Sequence, residues 1–138
     1  MKEALHEILR NNLIGEEAPN LLSPKVSFFN VAELNEKLKV CYSDILLVTT
    51  DDSDRRNKLI WLKGKTKEYT LMNVGFTELL ENTNTLLMVN KSTLINMEAM
   101  RSYRYDFITL ENLFPGWNNK QIILGRTFRK SFYSLINK

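Results

Sequence analysis

Two hydrophobic periods divide the chain. Residues 2–14 place Leu5, Ile8, Leu9 and Leu13 at helical spacing, with Gly15 where a helix C-cap belongs. The spacing predicts one amphipathic N-terminal helix. Pro19, Ser23 and Pro24 mark Glu16–Pro24 as a linker, so residues 1–24 are expected to form a helix and linker and residues 25–138 a domain. From Lys25 onward short segments rich in β-branched and aromatic residues recur. They predict strands over Val26–Phe29, Lys39–Tyr42, Ile45–Thr50, Leu59–Lys63, Glu68–Met72, Leu86–Val89, Thr93–Asn96, Tyr103–Leu110 and Gln121–Leu124. Lys63-Gly64-Lys65 and Phe114-Pro115-Gly116 read as turns between antiparallel strands. Two segments keep a helical period instead. One is Asn73–Glu81, with Asn73 as its N-cap; the other is Thr127–Asn137, with Phe128, Phe132, Leu135 and Ile136 on one face. The expectation is a mainly β domain with a few short helices, without internal repeats or low-complexity tracts.

Composition adds limits. A chain of 138 residues with 43% hydrophobic and 25% charged residues fits one globular domain with a packed core. No apolar run approaches the roughly 18 residues a membrane helix needs. Glu3 and Glu7 stand where a signal peptide would be basic and then apolar, so the reading is cytoplasmic, without membrane insertion. The single cysteine, Cys41, lies in an apolar stretch and reads as a buried, inert thiol.

The net charge of +3 becomes informative once it is divided along the chain. Residues 1–90 hold 11 Lys/Arg against 13 Asp/Glu, whereas residues 91–138 hold 8 against 3. A second basic run, Arg55, Arg56, Lys58, Lys63, Lys65 and Lys67, contains no acid and follows the acidic Asp51, Asp52 and Asp54. Two basic zones suit a polyanion, although lysines and arginines also serve simply to solvate strand faces and turns.

Catalytic chemistry finds few footholds. The only histidine, His6, falls on the N-terminal helix outside the expected core, so Ser-His-Asp or Cys-His catalysis lacks a base. One His and one Cys cannot build a transition-metal site, and Asp51-Asp52-Ser53-Asp54 lacks the glycine and distal glutamate of a calcium loop. No GxGxxG or GxxxxGK[ST] phosphate cradle is present. The expectation is a protein that is not an enzyme and needs neither cofactor nor metal.

The most informative stretch is Leu86–Met97, an apolar strand that breaks at Asn90-Lys91-Ser92 and then resumes. Taken alone it is a polar turn in which Ser92 and Asn96 satisfy backbone groups. Taken with two other pieces it resembles the LytTR family of bacterial DNA-binding domains, over about residues 28–138. The pieces are Tyr42-Ser43-Asp44-Ile45-Leu46-Leu47-Val48, Asn90-Lys91-Ser92-Thr93-Leu94-Ile95-Asn96 and Gly125-Arg126-Thr127-Phe128-Arg129-Lys130. They follow the family's order: an aspartate-isoleucine strand entry, a helix and a strand ending in His-Arg-Ser, a Val-Asn pair, then Ser-Arg with an aromatic two positions later. Asn90 stands where the family has histidine, Lys91 where it has arginine or an amide residue, and Gly125 where it has serine. Altered base preference is the implied consequence.

The resemblance implies an elongated stack of short antiparallel sheets that reads duplex DNA through loops rather than a recognition helix. Two loops enter successive major grooves of bent DNA. It carries over as DNA contacts the loop Arg55, Arg56, Asn57 and Lys58, then Lys91 with Ser92 beside it, then Arg126; Asn90, Arg129 and Lys130 join them by their side-chain chemistry. Arg126 would pair with guanine and Asn57 or Asn90 with adenine, while Lys58, Lys91, Arg129 and Lys130 would neutralise phosphate. Plainer uses stand beside these. Arg126 could cap or salt-bridge the last helix, Asn57 could form a turn, Lys91 could be a strand-end lysine, and Trp61, Trp117 and Asn96 could serve packing and backbone support. The implied role is that of a transcription regulator in a two-component system, as in response regulators. Its partner would be double-stranded DNA, as direct repeats occupied by two copies, with homodimerisation on DNA and an upstream sensor or receiver protein. The competing class is a protein–protein interaction module without DNA contact.

Overall fold

A computed structural model describes residues 25–111 and 121–136. The predicted N-terminal helix, His6, Trp117 and the Pro115-Gly116 turn lie outside those residues. Within them the chain forms three antiparallel sheets. β1 (Val26–Phe29) pairs with β2 (Leu38–Cys41) in a hairpin. The central sheet has the order β5-β4-β3-β7-β6, built from β3 (Ile45–Thr50), β4 (Lys58–Leu62), β5 (Tyr69–Leu71), β6 (Leu86–Asn90) and β7 (Thr93–Asn96). The third sheet has the order β10-β9-β8, from β8 (Met100–Tyr103), β9 (Phe107–Leu110) and β10 (Gln121–Ile123). α1 (Phe76–Leu80) lies between β5 and β6, and α2 (Arg129–Ile136) follows a 3-10 turn over Arg126–Phe128.

The central sheet is a partition between two cores, which explains why β3 and β7 are buried at consecutive positions rather than at alternate ones. Val48, Leu94 and Ile60 share one face and pack with Phe29, Val40, Tyr42 and Leu79. Leu47 and Ile95 share the other and pack with Ile108, Leu110, Ile122, Leu124 and Phe132, with Trp61 and Phe128 at the margin. Trp61 is therefore a core-edge aromatic, as read from sequence. Asn96, only 2% exposed, sits at the end of β7. It donates from Nδ2 to the Ile45 carbonyl (2.9 Å) and accepts the Glu98 N–H (2.8 Å), so it braces backbone.

The strand expectations hold closely, with two corrections. Tyr103–Leu110 is two strands joined by a tight turn, in which Arg104 and Phe107 exchange backbone hydrogen bonds of 2.7 and 3.3 Å across Tyr105 and Asp106. The Tyr103, Tyr105, Phe107 alternation imitates a continuous strand, but Arg129 pairs with Asp106 and lies over the Tyr105 ring at 4.2 Å. Met100–Tyr103, mostly exposed, had no apolar alternation to reveal it as a strand. The helix predicted over Asn73–Glu81 is shorter. Asn73 adopts a left-handed φ of 56° and Gly75 occupies the N-cap position. Cys41 is half-buried, with its Sγ 3.2 Å from Ser43 Oγ.

Candidate functional site

Antiparallel pairing brings four separate segments to one end of the central sheet. Thr50 pairs with Lys58, Lys58 with Leu71, and Thr49 with Thr93. That end therefore carries the 51–57 loop, residues 72–74 and the Lys91-Ser92 turn. The segments are tied by backbone hydrogen bonds: Thr50 N–H to the Ser92 carbonyl (2.9 Å), Asp51 N–H to the Asn57 carbonyl (3.1 Å) and Val74 N–H to the Arg56 carbonyl (3.2 Å).

The fourth segment, 123–128, comes from the third sheet. A β-bulge at Met88/Asn90 leaves Val89 out of the ladder register, and its carbonyl accepts the Gly125 N–H at 2.8 Å. Asn90 completes the junction. Its Nδ2 donates to the Ile123 carbonyl (2.7 Å) and its Oδ1 accepts the Ser92 N–H (2.8 Å). Gly125 is favoured by close approach rather than by its φ. A Cβ there would lie 3.1 Å from Phe128 Cδ2 and 3.3 Å from Asn90 Cβ. The result is an open hollow of about 440 Å³ lined by Asn90, Lys91, Ser92, Ile123, Arg126 and Phe128.

Arg55, Arg56, Asn57, Asn90, Lys91, Ser92 and Arg126 thus meet at one end of the sheet. Arg55, Lys91, Arg126 and Lys130 are exposed and take no ion pair among the described residues, where the pairs are Arg56–Asp54 and Arg129–Asp106. Arg56 is held by Asp54 through Nε (3.0 Å) and Nη2 (2.8 Å). Those side-chain bonds, with the Arg56 backbone N–H, hold the Asp54 carboxyl down to about 2, from an ordinary 3.8.

Three placements differ from what the sequence suggested. Lys58 is 7% exposed; its Nζ donates to the Arg55 carbonyl (2.9 Å) and lies 5.3 Å over the Phe76 ring. Burial, and then the neighbouring Arg55 charge, lower its pKa. It supports the loop from beneath and is not presented to phosphate. Asn57 Oδ1 accepts the Asn73 N–H (3.0 Å), so the carboxamide also has a backbone duty. Arg129 is half-buried, and its ion pair with Asp106 and its stack on Tyr105 lock the β8–β9 turn onto α2. What the residue patterns missed at this end is apolar. Ile123 is 61% exposed, beside Arg126. The alternation of Ile122 and Leu124 inward would have placed Ile123 outward, since strand side chains alternate faces.

No family model matches the chain, and no curated protein matches it by sequence. Among solved structures it is similar to the LytTr DNA-binding domain of a protein described as a methyl-accepting/DNA response regulator from Bacillus cereus. The TM-score is 0.60 at 10% sequence identity, over 84% of this chain and all of that one. The chain has the LytTr fold.

Proposed function

We propose that this chain binds duplex DNA in a sequence-specific manner to regulate transcription, using the loop end of the central sheet as its reading surface. The observation that carries the reading is the convergence there of Arg55, Lys91 and Arg126, exposed cations from segments far apart in sequence and cross-tied by backbone hydrogen bonds. Exposed arginines and lysines on such a platform supply the two things duplex recognition needs, phosphate neutralisation and donors for base edges. Arg126, with its planar fork, is assigned to guanine O6 and N7; Lys91 and Lys130 are assigned to phosphate. Arg126 and Lys130 stand at the N-terminal end of α2, where the helix dipole disfavours cations. A phosphate bound there removes that penalty. Asn57, Asn90 and Ser92 position these groups. Two copies on direct repeats, a sensor or receiver upstream and a cytoplasmic site of action complete the reading.

The test is selection of bound duplexes from a random library by the full chain, followed by binding measurements on the enriched site. Arg126→Ala is expected to cost about 1–3 kcal/mol there and to relax one base position. Affinity should fall steeply between about 50 and 200 mM salt. Equal losses for Arg126→Ala on the enriched and a scrambled duplex would overturn direct readout, and salt-insensitive binding would favour a protein partner instead.

A further inference from the structure

We infer that Ile123 and Phe128 form an apolar reader for a thymine methyl group inside the basic end, an inference that rests on the DNA-binding reading above. Isolated exposed apolar residues are ordinary on protein surfaces. Ile123 differs in its placement. It is 61% exposed and lines the same hollow as Lys91, Ser92, Arg126 and Phe128. Its backbone is held by the Asn90 Nδ2 bond to its carbonyl (2.7 Å) and by the β10–β9 ladder, so the side chain is presented from a fixed support. The partly buried Phe128 ring packs against the second core and lines the same hollow.

An apolar spot bordered by cationic donors matches one feature of the major groove. Among the four bases thymine alone carries a methyl there, and it lies next to acceptor atoms that lysine and arginine can reach. Neither a phosphate nor a sugar gives Ile123 a comparable partner. The hollow is open, so a base edge can approach it without displacing any buried group. Phe107, paired with Ile123 across the ladder and 37% exposed, lies outside the hollow and supplies a control.

The experiment uses the full chain and the duplex recovered by library selection, with each thymine replaced in turn by deoxyuridine, which removes only the methyl. One position should lose about fourfold in affinity, the worth of one buried methyl. Ile123→Ala should lower affinity for the thymine duplex by a similar factor and abolish the thymine–uracil difference there; Phe107→Ala should leave that difference intact. Thermal melting establishes that both variants are folded, and the unmodified protein alone decides the first comparison. Equal binding of every uracil duplex would overturn the inference while leaving DNA recognition standing, as would a thymine–uracil difference that survives Ile123→Ala. Failure to enrich any duplex would overturn the DNA-binding reading and this one with it.

Discussion

Asn90→Ala separates two uses of one carboxamide, reading adenine or clamping the site. The two hydrogen bonds of Asn90, 2.7 Å to the Ile123 carbonyl and 2.8 Å from the Ser92 N–H, engage both ends of its side chain. One partner is an acceptor and the other a donor, so the orientation of the amide is determined. Each bond contributes about 1 kcal/mol net. Removing both exposes a carbonyl and an N–H at a rim that water can reach, so the expected loss is about 1–2 kcal/mol rather than the full penalty of two buried orphans. For a domain of this size that lowers the melting temperature by about 3–8 °C. The bonds also set the spacing between the Lys91-Ser92 turn and the Arg126 segment. Their loss should therefore weaken binding to enriched and scrambled duplexes alike. Calorimetric or fluorescence-monitored unfolding gives the stability change, amide hydrogen exchange at Ser92 reports the turn, and binding to the two duplexes gives the selectivity. An Asn90→Ala protein of unchanged stability that loses discrimination at a single A·T position would refute the clamp and restore Asn90 as a base reader.

Gly125→Ala puts a methyl about 3 Å from Phe128 and Asn90, and overpacking of this kind should cost about 1 kcal/mol, detected in urea unfolding together with weaker DNA binding. Lys130→Ala should reduce the slope of log affinity against log salt by about 1, whereas Arg129→Ala should leave it unchanged because Asp106 already neutralises that guanidinium. Arg129→Ala should instead destabilise the fold by about 1 kcal/mol, after discounting for solvent at a partly exposed pair, as denaturant unfolding would register. Asp54 titrates below its ordinary range, so its contribution to ordering the 51–57 loop is present above pH 3.8 and is lost as the pH falls towards about 2. Carboxyl NMR should place its midpoint near 2, and Arg56→Ala should move that midpoint up towards the ordinary value.

Strands were legible wherever burial imposed a pattern. Ile45–Thr50 and Thr93–Asn96 match their predicted bounds because both faces of the central sheet are covered, so consecutive apolar residues (Ile45–Val48, Leu94–Ile95) run into β-branched or polar strand ends. Tyr103–Leu110 was misread because aromatic alternation and local propensity cannot register that Arg129, some twenty residues later, closes on Asp106. The same limit governs the site. Which positions break the apolar runs is visible in sequence, and Asn57, Lys91 and Arg126 do arrive at one end. Which of the basic residues remain available is not visible. Lys58 and Arg55 lie three positions apart, yet the lysine turns inward, its Nζ over the Phe76 ring, and the arginine stays in solvent. Partner choice at that resolution is a tertiary property.

A reading surface made of loops must be ordered before it meets its target, or the entropy of ordering it is subtracted from affinity. Here the ordering is internal. The 51–57 loop is held by Asp51–Asn57, Arg56–Val74 and Asn57–Asn73 bonds; the Lys91-Ser92 turn by Thr50 and Asn90; the 123–128 segment by Val89 and Asn90. Each loop is tied to an element other than its own neighbours in sequence, so none can move without breaking a bond to another. The residues that do the tying, Asn57, Asn90 and Gly125, are accordingly the ones least free to read bases. Those that carry charge without a described partner, Arg55, Lys91 and Arg126, are the ones a ligand would meet. On that division, substitutions at the tying residues should weaken all sequences together, and among these exposed cations the two arginines, whose forks fit guanine, are the ones able to alter which sequence is preferred, whereas Lys91 should weaken all sequences alike.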